Sequence, residues 1–135
     1  MRTIEMVETK KTKTGKQKIT HISKFVAFPH QINSYLTAYK DDFTSQNAIA
    51  ILNNLYGNEV EIWDDIKFSK NDIEQLLALC DELLKNLENI TDYSIFEIWK
   101  SFGINKRMLQ EFAVELSELL STALANDKQV YSLGD

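Results

Sequence analysis

Apolar and β-branched residues near the N-terminus form two runs separated by a polar tract. Residues 2–9 and 18–28 are rich in Thr, Ile, Val and Phe, and Gly15 lies between them. Such runs, joined by turn-forming residues, predict a β-hairpin. The alternation is imperfect because Met6 and Val7 are adjacent apolar residues. We therefore expect a β-bulge or partial cover on both faces of the hairpin.

Pro29 ends the second run, since proline cannot donate to a sheet ladder and suits the first turn of a helix. From there to residue 128, apolar residues recur mainly at helical spacing, which predicts about five helices. The expected helices lie near residues 30–39, 44–57, 69–88, 91–103 and 105–125. The segment 58–68 suits either a strand or a helical turn and is treated as a connector. The stretch "QVYSL" at 129–133 predicts a short final strand.

These elements define an α+β fold class. The N-terminal hairpin and the final strand are expected to form a small antiparallel sheet packed against the bundle of helices. With 135 residues, of which 44% are hydrophobic, the chain is predicted to be one domain. Its parts are a basic β-hairpin at 1–28, a helical body at 29–128 and the strand at 129–133.

The number of cysteines and the length of the apolar stretches indicate the cellular compartment. The single Cys80 lies among leucines and cannot form an internal disulfide, which suggests a reducing environment. No apolar run approaches the roughly 20 residues needed to cross a bilayer. The first residues also lack the apolar core of a signal peptide. We expect a cytoplasmic protein with no membrane partner.

Residue types that supply catalysis are scarce in this chain. His21 and His30 are the only histidines, and the four glycines are too scattered for a phosphate-binding loop. Paired Cys and His ligands for zinc are missing. The tripeptide Asp65-Ile66-Lys67 matches the end of a metal-dependent nuclease motif, which is a remote alternative. We therefore predict no enzyme, no catalytic residues, no metal and no cofactor.

Charge is distributed unevenly along the chain. The formal net charge is −5. Residues 1–27 carry seven basic and two acidic side chains, so the remainder carries −10. An acidic body favours a basic partner. The densest acidic group, our candidate partner-binding surface, comprises Glu59, Glu61, Asp64 and Asp65.

Residues 95–112 resemble a helix-turn-helix in outline, with Gly103 at the turn. Three polar residues would begin the second helix and contact nucleic acid: Lys106, Arg107 and Gln110. However, Trp99 occupies a position where that motif needs a small residue, and the second helix is acidic further along. We favour an ordinary helix corner with Trp99 and Phe102 in the core.

The tract "KKTKTGKQK" at 10–18 packs five lysines around Gly15. Our main interpretation is a solvated hairpin tip whose lysines keep the strand edge from pairing with other chains. The alternative is a phosphate-binding arm, which would act together with Lys106 and Arg107 if they shared a face. The lysines that would contact nucleic acid in that case are Lys11, Lys13, Lys16 and Lys18.

The leading functional hypothesis is a small non-catalytic binding protein. An inhibitor, an immunity protein for a bacterial toxin or a phage-encoded antagonist would engage a basic protein partner through an acidic helical surface. The alternative is a nucleic-acid-associated regulator that uses the basic hairpin and the helix-turn-helix-like segment. The sequence gives no prediction of oligomeric state.

Overall fold

A computed structural model describes residues 1–57 and 64–133. Its four strands form one antiparallel sheet in the order β2-β1-β4-β3. They are β1 (Arg2–Lys11), β2 (Gln17–Phe28), β3 (Ile66–Lys67) and β4 (Gln129–Leu133). The predicted hairpin and final strand are present. The short β3 was not predicted, because its two residues lie in the segment interpreted as a connector.

Five α-helices lie in the described part of the chain and complete the α+β fold that the sequence predicts. They are α1 (His30–Ala38), α2 (Gln46–Asn54), α3 (Lys70–Glu88), α4 (Asp92–Phe102) and α5 (Lys106–Ala125), with a 3₁₀ turn at Lys40–Asp42. Polar caps define several ends: Ser69 and Asp72 form a capping box at α3, and Thr91 caps α4. Gly103 ends α4 in the left-handed conformation, with φ of 71°.

The sheet packs on α5, which packs in turn on α3, and the core residues fill both contacts. Ile4, near the start of β1, is fully buried, and Phe28 of β2 stacks on Phe112 of α5 with ring centroids 5.6 Å apart. The register between β1 and β2 shifts at Met6/Val7 and again at Glu8/Thr9. Of the two alternatives that the broken alternation predicts, the structure therefore has the shift of register.

Strand β2 of the long hairpin runs antiparallel to α5. Phe28 contacts Phe112 near the start of α5, whereas Lys24 lies 3.8 Å from Glu118 further along it. Beyond the end of α5, Lys128 donates to Glu8 of β1 at 2.8 Å. The hairpin tip therefore extends past the C-terminal end of α5, whose 20 residues span about 30 Å.

Candidate functional site

α4 carries three aromatic side chains that face solvent. Tyr93, Phe96 and Trp99 are 73%, 57% and 54% exposed. Residues three apart on a helix are neighbours on its surface, so the three rings form one stripe, here called the α4 aromatic face. Exposed aromatics grouped in this way mark interaction surfaces in folded proteins.

The opposite side of α4 holds the helix to the body. Ile98 is buried there, and Phe102 meets the rings of Tyr35 and Tyr39 edge-on at 6.1 and 6.2 Å. The expectation that Trp99 lies in the core is wrong. At about 100° per residue, Trp99 is turned away from Ile98 and out of the contact with α1.

Charged residues border the α4 aromatic face. Between residues 88 and 100 the chain has three acids and one base, which are Glu88, Asp92, Glu97 and Lys100. Glu97 is half-buried and the other three are exposed. Along this segment of the chain, the exposed aromatic residues are therefore accompanied by a net negative charge.

The predicted acidic group is only partly placed by the structure. Glu59 and Glu61 lie outside the described residues. The carbonyl oxygen of Asp64 accepts a hydrogen bond from Arg2 Nη1 at 2.6 Å, which ties the backbone of this segment to β1. Asp65 follows it and is exposed.

The two predicted nucleic-acid elements are not brought together. Lys106, Arg107 and Gln110 begin α5, whereas the lysine tract lies past the far end of that helix. Arg107 Nε already donates to Glu111 Oε1 at 2.8 Å. In addition, α4 packs chiefly on α1 rather than on α5, so the helix-turn-helix packing is not formed.

Groups with nucleophilic or basic chemistry do not converge among the described residues. Burial raises the pKa of the Cys80 thiol to about 12, so it stays protonated. Ser34 Oγ lies 3.4 Å from His30 Nδ1 on exposed α1, and the imidazole edge meets the Tyr56 ring rather than an orienting carboxylate. Within residues 1–57 and 64–133, no three His, Cys, Asp or Glu side chains gather as a metal site.

No helix within residues 1–57 and 64–133 is long and apolar enough to span a membrane.

Glu5 is a buried acid that the sequence reading did not single out. It lies in β1 beside Tyr131 of β4 and Phe25 of β2, and is 6% exposed. The Thr3 hydroxyl donates to Oε1, and a backbone hydrogen bond from Leu133 also favours the charged carboxylate, while Oε2 has no hydrogen bond of normal geometry. Burial raises the pKa of this carboxyl, and the nearby charge of Asp65 adds to the effect. In the sequence, this buried acid is indicated only by its neighbours: Glu5 lies between apolar residues, with Ile4 before it and Met6 and Val7 after it.

The chain matches no protein-family model, no curated protein and no solved structure. Its function is therefore inferred from its own surfaces.

Proposed function

We propose that this protein is a small non-catalytic binding protein whose α4 aromatic face docks onto a partner protein. The observation that carries the proposal is the exposure of Tyr93, Phe96 and Trp99 side by side on one helix. Tyrosine and tryptophan are enriched among the residues that dominate binding energy at interfaces. They supply large contact areas while losing little side-chain entropy.

The size of this face suits the centre of an interface. A buried aromatic side chain contributes about 150–250 Å², so three rings that are each more than half exposed offer roughly 300–400 Å². A standard interface buries about 800 Å² on each partner. The α4 aromatic face would therefore supply the apolar centre, and surrounding polar residues would supply the rim.

The charge around the face indicates the chemistry of the partner. Glu88, Asp92 and Glu97 outnumber Lys100, and the chain beyond residue 27 carries −10 overall. A partner with an apolar groove bordered by Lys and Arg would complement this surface and be attracted to it at long range. An inhibitor, immunity protein or phage antagonist of a basic protein would act in this way. The single buried Cys80 supports a reducing, cytoplasmic setting.

Affinity capture with matched variants tests this proposal. The immobilised chain is incubated with lysate from its source cell, in parallel with Y93A/F96A/W99A and a control, V114A. Val114 is 42% exposed on α5, so the control removes exposed apolar surface elsewhere. We expect one basic protein to be retained by the wild type and V114A and lost from the triple variant, with all three chains folded by circular dichroism. Retention by the triple variant, or no specific protein on the wild type, would overturn the proposal.

A further inference from the structure

The hairpin tip stands clear of the rest of the molecule. Its last ion pair with the body joins Glu8 to Lys128, and every residue from Lys10 to Lys18 is exposed. From Glu8 to the end of β1 at Lys11 the strand advances by three residues, which is about 10 Å at 3.3 Å per residue. The turn beyond Lys11 therefore lies more than one Debye length, about 8 Å at physiological salt, from the Glu8–Lys128 pair, so the charge of the acidic body is largely screened there.

Like charges face each other across this tip. Lys10 and Lys18 are register partners on β1 and β2, an arrangement that is unfavourable unless an anion lies between them. Together with Lys11 and Lys13 they line a cavity of about 520 Å³. None of the five tip lysines forms an ion pair with another described residue.

The turn holds these lysines at fixed spacing. Gly15 adopts φ of 82°, a conformation in which a side chain would be strained. The Thr12 N–H donates to the Lys16 carbonyl at 2.7 Å, and the Gly15 N–H donates to the Thr12 carbonyl at 3.0 Å. The tip is thus a closed two-stranded ribbon with positive charge on both strands.

We propose that the hairpin tip binds the phosphate backbone of duplex nucleic acid as a basic β-ribbon. The major groove, about 12 Å wide, admits a two-stranded ribbon, and contacts from lysine to phosphate give binding that does not depend on sequence. Residues 10–18 contain no apolar side chain, whereas peripheral membrane binding relies on apolar groups that insert at the lipid interface. Lys106 and Arg107 take no part, since they lie at the other end of α5.

Fluorescence anisotropy with a labelled 20-base-pair DNA duplex tests this proposal. For five phosphate contacts, the slope of log affinity against log salt is about −4.5. We expect affinity to fall by about 500-fold between 50 and 200 mM NaCl, which follows from that slope. K10A/K18A should weaken binding at least tenfold and bring the slope to about −3. The K13A/K16A variant removes two lysines from the turn. It repeats the measurement of DNA affinity at positions independent of Lys10 and Lys18.

The matched control is K40A/K85A, which removes the same charge from exposed residues on the helical body and should bind DNA like the wild type. Absence of DNA binding by the wild type at 50 mM NaCl would overturn the proposal and leave the lysines as a solvated edge. Equal loss in K40A/K85A and K10A/K18A would also overturn it. So would binding to anionic phosphatidylserine vesicles without binding to the duplex.

Discussion

Glu82 of α3 accepts the Ser45 backbone N–H at 2.7 Å. The same carboxylate accepts the Thr44 N–H and the Thr44 hydroxyl, each at 2.8 Å, and also the Ser45 hydroxyl. A side chain from α3 thus satisfies the backbone at the start of α2, where Ser45 makes no cap of its own. Because hydrogen bonds to a charged group are stronger than neutral ones, E82A should lower the free energy of unfolding by about 2 kcal/mol.

Urea unfolding of E82A and of E74A measures this effect. Glu74 is exposed on the same helix, and E74A should change stability by less than about 0.5 kcal/mol. The pH dependence of the free energy of unfolding gives a second test. Burial of Glu82 acts to raise its pKa, but the hydrogen bonds from Ser45 and Thr44 outweigh it and lower the pKa from 4.5. Its contribution is therefore present above pH 4.5 and lost as the pH falls through the folded-state pKa. Equal stability of E82A and E74A at pH 7 would contradict this role.

Glu5 should have the opposite pH dependence. Its pKa is raised from 4.5 by burial, so the folded state favours the protonated carboxyl below that pH and loses this advantage as the pH rises. E5Q keeps an acceptor for the Thr3 hydroxyl and removes the buried charge. We expect E5Q to stabilise the protein at pH 7 by about 1 kcal/mol, with the gain disappearing by about pH 4. Thermal unfolding at both pH values measures this, and a destabilised E5Q at pH 7 would show that the charge is compensated.

Gly103 should be required because its backbone adopts the left-handed conformation, and not because a side chain would lack room at this position. Its φ is 71°, and apart from Gly103 itself and its neighbours in the chain no atom lies within 4 Å of the position a Cβ would occupy. G103A should therefore cost about 1 kcal/mol from strain alone, while G103N should cost less because Asn tolerates this region. Chemical denaturation of both variants provides the comparison. If G103N lost as much stability as G103A, left-handed strain would not be the cause.

The starts of α3, α4 and α5 and the end of α4 could be predicted because their determinants are local, whereas α2 was expected over 44–57 and spans only Gln46–Asn54. The side chains of Ser69 and Thr91 cap α3 and α4, the Asn105 side chain accepts the Met108 N–H at the start of α5, and Gly103 ends α4 through its backbone freedom. The broken alternation at Met6 and Val7 indicated the shift of register in the hairpin. The two-residue strand β3 was missed because its pairing with Tyr131 and Ser132 spans more than 60 residues and leaves no periodic signal in so short a segment.

The exposure of Trp99 could not be read from the sequence for a different reason. Five of the eight residues from 95 to 102 are apolar, which is more than one side of a helix can bury. Tertiary packing decides which of them face inward. Here Phe102 contacts Tyr35 of α1 and Ile98 is buried, and the rings of Phe96 and Trp99 are left in solvent.

The affinity of the W99A variant for the captured partner tests the proposed role of the α4 aromatic face most directly. Once that protein is purified, isothermal titration calorimetry compares the wild type, W99A and V114A. A hot-spot tryptophan contributes about 2 kcal/mol or more, so Kd should rise roughly 30-fold in W99A and stay within about twofold of wild type in V114A. A Kd for W99A equal to that of the wild type would contradict the account.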